Sequence, residues 1–142
     1  MPSRLIRIAH PTLYNFSDVA ASLSREQVLA DRIDASEYLY AALSVRVHGG
    51  YSIAQANAKI EVFARPDPFT TDDPGADWDY SQVSAVGTVT IPYKLGANVP
   101  FFDGGGWDCF YNGLIQIVVK GTQAAQQSDV EAILSIDLQL KR

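Results

Sequence analysis

Five aspartates crowd into one stretch of the chain, PDPFTTDDPGADWDY, from Pro66 to Tyr80, with no lysine or arginine among them. Oxygen clusters of this kind hold calcium when about six to eight ligands converge, and a carboxylate pair hydrolyses glycosides when the two face each other across a cleft. Asp67, Asp72, Asp73, Asp77 and Asp79 do not follow the regular spacing of a calcium loop, and no glutamate closes the set. Pro66, Pro68, Pro74 and Gly75 mark irregular chain between strands, so the stretch is expected to be a solvated connector.

Other chemistry-bearing residues are sparse. His10 and His48 are the only histidines, and a His-rich zinc site would need both brought together from distant segments. His48 reads as an exposed polar residue at a strand end. Cys109, among the aromatics of GWDCFYNG, reads as a buried inert thiol, and no G-x-S-x-G elbow presents a nucleophilic serine. DGGGWD, residues 103–108, lacks the lysine and following helix of a phosphate loop and reads as a turn. No catalytic, metal-binding or cofactor-binding residue is assigned, and a non-enzymatic protein is expected.

The elements that carry these residues belong to a chain of 142 residues, 47% hydrophobic and 19% charged, which suits one domain with one core. A net charge of -5 argues against a protein that binds by neutralising phosphates, so no direct nucleic-acid partner is expected. No apolar run has the length of a signal peptide or a membrane span, so the chain reads as soluble, with no membrane partner. A lone cysteine forbids an internal disulfide and suits a reducing cytoplasm.

Hydrophobic periodicity decides the fold class. In EYLYAALSVRVH, Leu39, Ala41, Leu43, Val45 and Val47 share one parity, while Tyr38, Tyr40, Ser44, Arg46 and His48 share the other. Val130, Ala132, Leu134, Ile136, Leu138 and Leu140 repeat that period of two, which is the signature of a half-buried strand. Ile60 and Val62, Val89 and Ile91, and Ile115, Ile117 and Val119 mark the inward sides of three more. RLIRI near the start could add another. Ser24 to Gln27 fits a helical capping box, but residues 28–33 also alternate, and a strand is expected there. The expected architecture is all-β, an antiparallel β-sandwich of jelly-roll-like form spanning residues 17–142, with an extended N-terminal arm over residues 1–16.

Aromatic residues point to contact with a partner. Phe69, Trp78 and Tyr80 sit in the long aspartate-rich connector, and Phe101, Phe102, Trp107 and Tyr111 sit in a second one. Long connectors tend to be functional or to pack on something, and interfaces favour aromatics. Tyr38 and Tyr40 fall on the outward parity of their strand. These nine residues are the interaction candidates, and other subunits or copies of the same chain, in a homo-oligomer, are the expected partners. A competing reading is a carbohydrate-binding sandwich, calcium-assisted, with Trp78, Trp107 and Tyr111 stacked on sugar rings.

The runs IDASEYLYAALSVRVHGG, AKIEVFARPDP, VGTVTIP, IVVKGTQAA and AILSIDLQLKR, over roughly residues 34–142, resemble the small β-sandwich virion proteins of tailed bacteriophages. Those include decoration (cement) proteins and related head or tail structural proteins. The resemblance implies a non-enzymatic subunit present in many copies, placed in a virion after assembly in the host cytoplasm, and it carries over no functional residue.

Overall fold

The computed structural model describes residues 3–48, 52–66, 86–91, 101–108 and 114–142, with residues 101–108, Pro66 and Val86 described by their backbone alone. Nine strands run through them: β1 (Arg4–Asn15), β2 (Ser24–Asp34), β3 (Tyr40–Val47), β4 (Ser52–Ile53), β5 (Lys59–Pro66), β6 (Val86–Ile91), β7 (Phe101–Asp108), β8 (Leu114–Thr122) and β9 (Val130–Lys141). Sheet A has the order β1-β9-β3-β7, with the short β4 also beside β9, and sheet B has the order β2-β8-β5-β6. All pairings are antiparallel. They nest like a rolled hairpin, β1 with β9, β2 with β8 and β3 with β7 around the β5–β6 pair, which is the jelly-roll form of a β-sandwich.

Alternation explains why these residues form sheets. All six inward residues of β9, from Val130 to Leu140, are buried, as are Ala41, Leu43, Val45 and Val47 of β3 and Ile115, Ile117 and Val119 of β8. They meet between the sheets in one core with Ile60, Val62, Val89 and Ile91. Each large side chain so buried contributes about 1.5–3 kcal/mol. Residues 24–34 are a strand, so the capping-box pattern at Ser24 does not open a helix.

Three expectations need correction. Tyr38 is 5% exposed and belongs to the core, while Leu39 is 58% exposed. The amide of Tyr38 donates to the Ala35 carbonyl, so a turn precedes β3 and breaks the parity that begins at Tyr40. Phe63, on the parity opposite to inward Ile60 and Val62 and so expected outward by the same alternation, is only 6% exposed although it lies outside the main core cluster. DGGGWD is not a turn but most of β7. Ala42 pairs with Gly106 and Ser44 with Asp103, so β7 spends one more residue than β3 there, and glycine tolerates such a bulge.

The segment expected as an N-terminal arm is indeed extended, but from Arg4 to Asn15 it runs along β9 of its own sheet. Tyr14, near the end of this strand, and Phe16, just past it, enter the core. Burial pushes the Tyr14 phenol above its ordinary pKa, partly offset by the Thr12 hydroxyl. Buried Gln123 fastens this corner: its Nε2 donates to the carbonyls of Ser17 at 3.2 Å and Ser128 at 2.7 Å, and its Oε1 accepts from the Ser128 amide at 3.2 Å.

The Phe16 ring lies on Gly121, with the Arg25 guanidinium 5.4 Å from the ring centroid. A Cβ at position 121 would run into the Cβ and Cγ of Phe16, which cannot swing away without leaving the core. Gly121→Ala is therefore expected to destabilise the fold by about 1–3 kcal/mol, measured by urea denaturation. An unchanged midpoint would show that Phe16 has room to move.

Candidate functional site

On the outer face of sheet A, β3 presents Ser44 and Arg46, His48 follows directly after it, and β9 presents Ser135 and Asp137. Register places Ser44 opposite Asp137 and Arg46 opposite Ser135, with Arg7 of β1 on the far side of Asp137. Together they line a shallow depression of about 180 Å³. Arg7 Nε donates to Asp137 Oδ1 at 2.5 Å, and His48 Nε2 lies 2.8 Å from Ser135 Oγ.

A serine within hydrogen-bond reach of an imidazole raises the question of nucleophilic catalysis, which also needs a carboxylate orienting the ring and donors for an oxyanion. The carboxylate lining this depression, Asp137, is engaged by Arg7. Ser135 sits in the middle of β9, whose backbone is committed to ladders with β3 and β1. The pair is therefore a tie between β3 and β9. His48, expected at an exposed strand end, is half-buried by this bond. Among the described residues, no group of three or more His, Cys, Asp and Glu is arranged to hold a metal ion.

Sheet B has buried groups on its own outward parity. Arg65 is 4% exposed, with Nε donating to Gln116 Oε1 at 2.6 Å and Nη1 to Glu26 Oε2 at 2.9 Å. Phe63 lies opposite Val118 beside them, its ring centroid 5.8 Å from the Arg65 guanidinium. These contacts clamp β2, β5 and β8 together.

A third feature is the side of the sandwich bounded by β1 and β2. Both are terminal strands of their sheets, with no strand on their outer side among the described residues. Asn15, the end of β1, pairs with Glu131, and Ser24, the start of β2, pairs with Thr122. The Gln123 amide donates to the Leu23 carbonyl at 2.9 Å and its side chain to the Ser17 carbonyl, which holds these ends together, so β1 runs into the corner and β2 runs out of it. Ile6, Ile8 and Ala9 of β1 and Leu29 and Ile33 of β2 are only partly buried against the core. Leu5, Leu13, Leu23 and Val28, four of the seven large apolar residues exposed among the described residues, lie on these strands or their connector.

Charges differ along the two edges. β1 carries Arg4, Arg7 and His10 and no carboxylate, whereas β2 carries Glu26, Asp31 and Asp34 against Arg25 and Arg32. The Ser36 hydroxyl and backbone amide hold the Asp34 carboxyl below its usual range, and Arg25 does the same for Asp18 in the connector.

Of the interaction candidates, Tyr40 is half-exposed on sheet A, facing Lys141, whose Nζ lies 5.9 Å from its ring centroid. Tyr38 is in the core, and its ring does not reach the surface needed for a partner. Phe101, Phe102 and Trp107 take register positions on β7 opposite Arg46, Val45 and Ala41. Phe69, Trp78, Tyr80 and Tyr111 lie outside the described residues, as do the five clustered aspartates and Cys109. The β1–β2 side was not singled out by sequence. Its signal was there, in RLIRI and EQVLADRI, where apolar residues fall on both parities of each run.

No family model matches the chain, and no curated protein matches it. Among solved structures it is similar to a chain in the structure of infectious bursal disease virus Gx strain, with a TM-score of 0.57 at 13% identity. It is also similar to a chain in the crystal structure of the infectious bursal disease virus VP2 subviral particle, with a TM-score of 0.55 at 10% identity. Each match covers 97% of this chain and 31% of the other, so the chain spans about a third of the length of these neighbours. At this identity the likeness is one of fold: over nearly its whole length, the chain shares a two-sheet β architecture with parts of virus-particle chains.

Proposed function

We propose that the chain is a non-enzymatic structural subunit of a virus particle that acts through protein–protein contacts, as a decoration (cement) or related head or tail protein of a tailed bacteriophage. The observation that carries this reading is the jelly-roll sandwich, matched over 97% of the chain by chains from virus particles. A fold alone does not specify a role, since lectin domains also use jelly rolls. The surface adds weight. Leu5, Leu13, Val28 and Leu39 are exposed on strands or beside them, where a partner subunit would remove them from water. The net charge of -5 favours a protein partner over a nucleic acid. In this reading the chain is assembled in the host cytoplasm, resides in the virion and meets both other subunits and its own copies.

The test is sedimentation. Expressed together with the particle proteins encoded beside it, the chain should migrate with particles through a sucrose gradient. A chain that stays at the top of the gradient while particles form and sediment without it contradicts the proposal.

A further inference from the structure

We infer that the side of the sandwich bounded by β1 and β2 is a two-fold self-docking surface, on which β1 of one copy lies antiparallel along β2 of a second copy, and reciprocally. The inference gives the assembly reading a particular surface and partner, and its biological meaning rests on that reading.

Symmetry makes the arrangement possible. β1 ends sheet A and β2 ends sheet B on the same side of the molecule, and they run in opposite directions. A half-turn about an axis parallel to the strands exchanges the two sheets while preserving strand direction. Each β1 then faces an antiparallel β2 of the second copy, both contacts form at once, and sheet A of each copy continues into sheet B of the other. Such an isologous contact is closed, leaving neither edge free. The opposite side of the sandwich is less available, because β6 already packs beside β7 there.

Charge selects the partner strand. Placing β1 against β1 would set Arg4 near its own copy, whereas placing β1 against β2 brings a strand with no carboxylate to one holding Asp31 and Asp34 beside Arg25 and Arg32, Arg7 and Glu26 being already paired with Asp137 and Arg65. Apolar groups fill the seam. Leu5, 70% exposed, and Val28 would leave water, and the partly covered Ile6, Ile8, Leu29 and Ile33 at the mouth of the core would be sealed.

The irregularities of the two edges fit a limited contact. β1 shifts register between Arg7 and Ala9 and again before Thr12, next to Pro11, which has no N–H. β2 shifts on both sides of Ala30, with Arg32 at φ 52°. Bulges and proline blunt an edge against indiscriminate pairing, so side chains, with only short stretches of ladder, make most of the contact.

Light scattering of the full chain over a concentration series should show a mass rising from 15.5 kDa to twice that value. Hydrogen exchange at the amides of β1 and β2 should slow as concentration rises, while exchange elsewhere on the surface stays constant. Asp31→Arg should weaken the dimer by about tenfold or more without lowering the melting temperature of the monomer. A monomer at every concentration overturns the inference, as does a dimer whose added protection lies away from β1 and β2, or one indifferent to Asp31→Arg. The gradient experiment separates the two levels. A monomeric chain that still migrates with particles leaves the assembly reading standing without this surface, and a dimer that never joins particles does the reverse.

Discussion

A chain that begins at residue 17 is expected to lose its cooperative fold. The deletion takes away the whole of β1, so β9 loses the partner that runs from Leu140 to Glu131 along one of its edges. It also removes Tyr14 and Phe16, both nearly inaccessible to water in the core. Truncating a buried aromatic to alanine alone costs about 3–5 kcal/mol, and the total stability of a domain is about 5–15 kcal/mol. Lost backbone pairing and newly exposed apolar surface add to that. Far-ultraviolet circular dichroism and a thermal melt should therefore show a broad or absent transition. A sharp melt within a few degrees of the full chain would mean that β1 is an accessory to the sandwich rather than part of it.

Leu138→Ala is the second large effect. Leu138 is fully buried in β9 and lies between Ile6 of β1 and Leu43 of β3. Removing its side chain leaves a void with well-packed walls on both sides, at a cost of about 2–5 kcal/mol. The urea midpoint should fall at an unchanged slope, because the amount of surface exposed on unfolding is nearly the same. Gln139→Ala, one residue on and facing water, should stay within about 0.5 kcal/mol. Equal effects at the two positions would contradict the facing assigned to β9.

The same reasoning explains what could be read from the sequence. β3, β8 and β9 were legible because their pairings hold register over long stretches, so every second residue reaches the core. β1 was not, because each of its two shifts inserts a residue and reverses the facing: Ile6, Ala9 and Tyr14 all lie opposite core residues of β9, at spacings that fit no single period. β2 carries two shifts of its own. β7 was hidden by its glycines, which signal a turn by type but here accommodate a bulge in a strand. Tyr38 was misplaced because a turn, invisible to parity, comes between it and β3. The open side escaped notice for the same reason as its strands did. Edges that are bulged lose the alternation by which a face is recognised, and the nesting that brings β1 and β2 to one side joins parts of the chain far apart in sequence.

Quantitative mass spectrometry of purified particles tests the central claim most directly. A structural virion subunit should be recovered from particles washed free of soluble protein, in many copies each and at a fixed ratio to the principal shell or tail protein. Recovery of the chain solely from the soluble fraction, with intact particles lacking it, would contradict a role in building them.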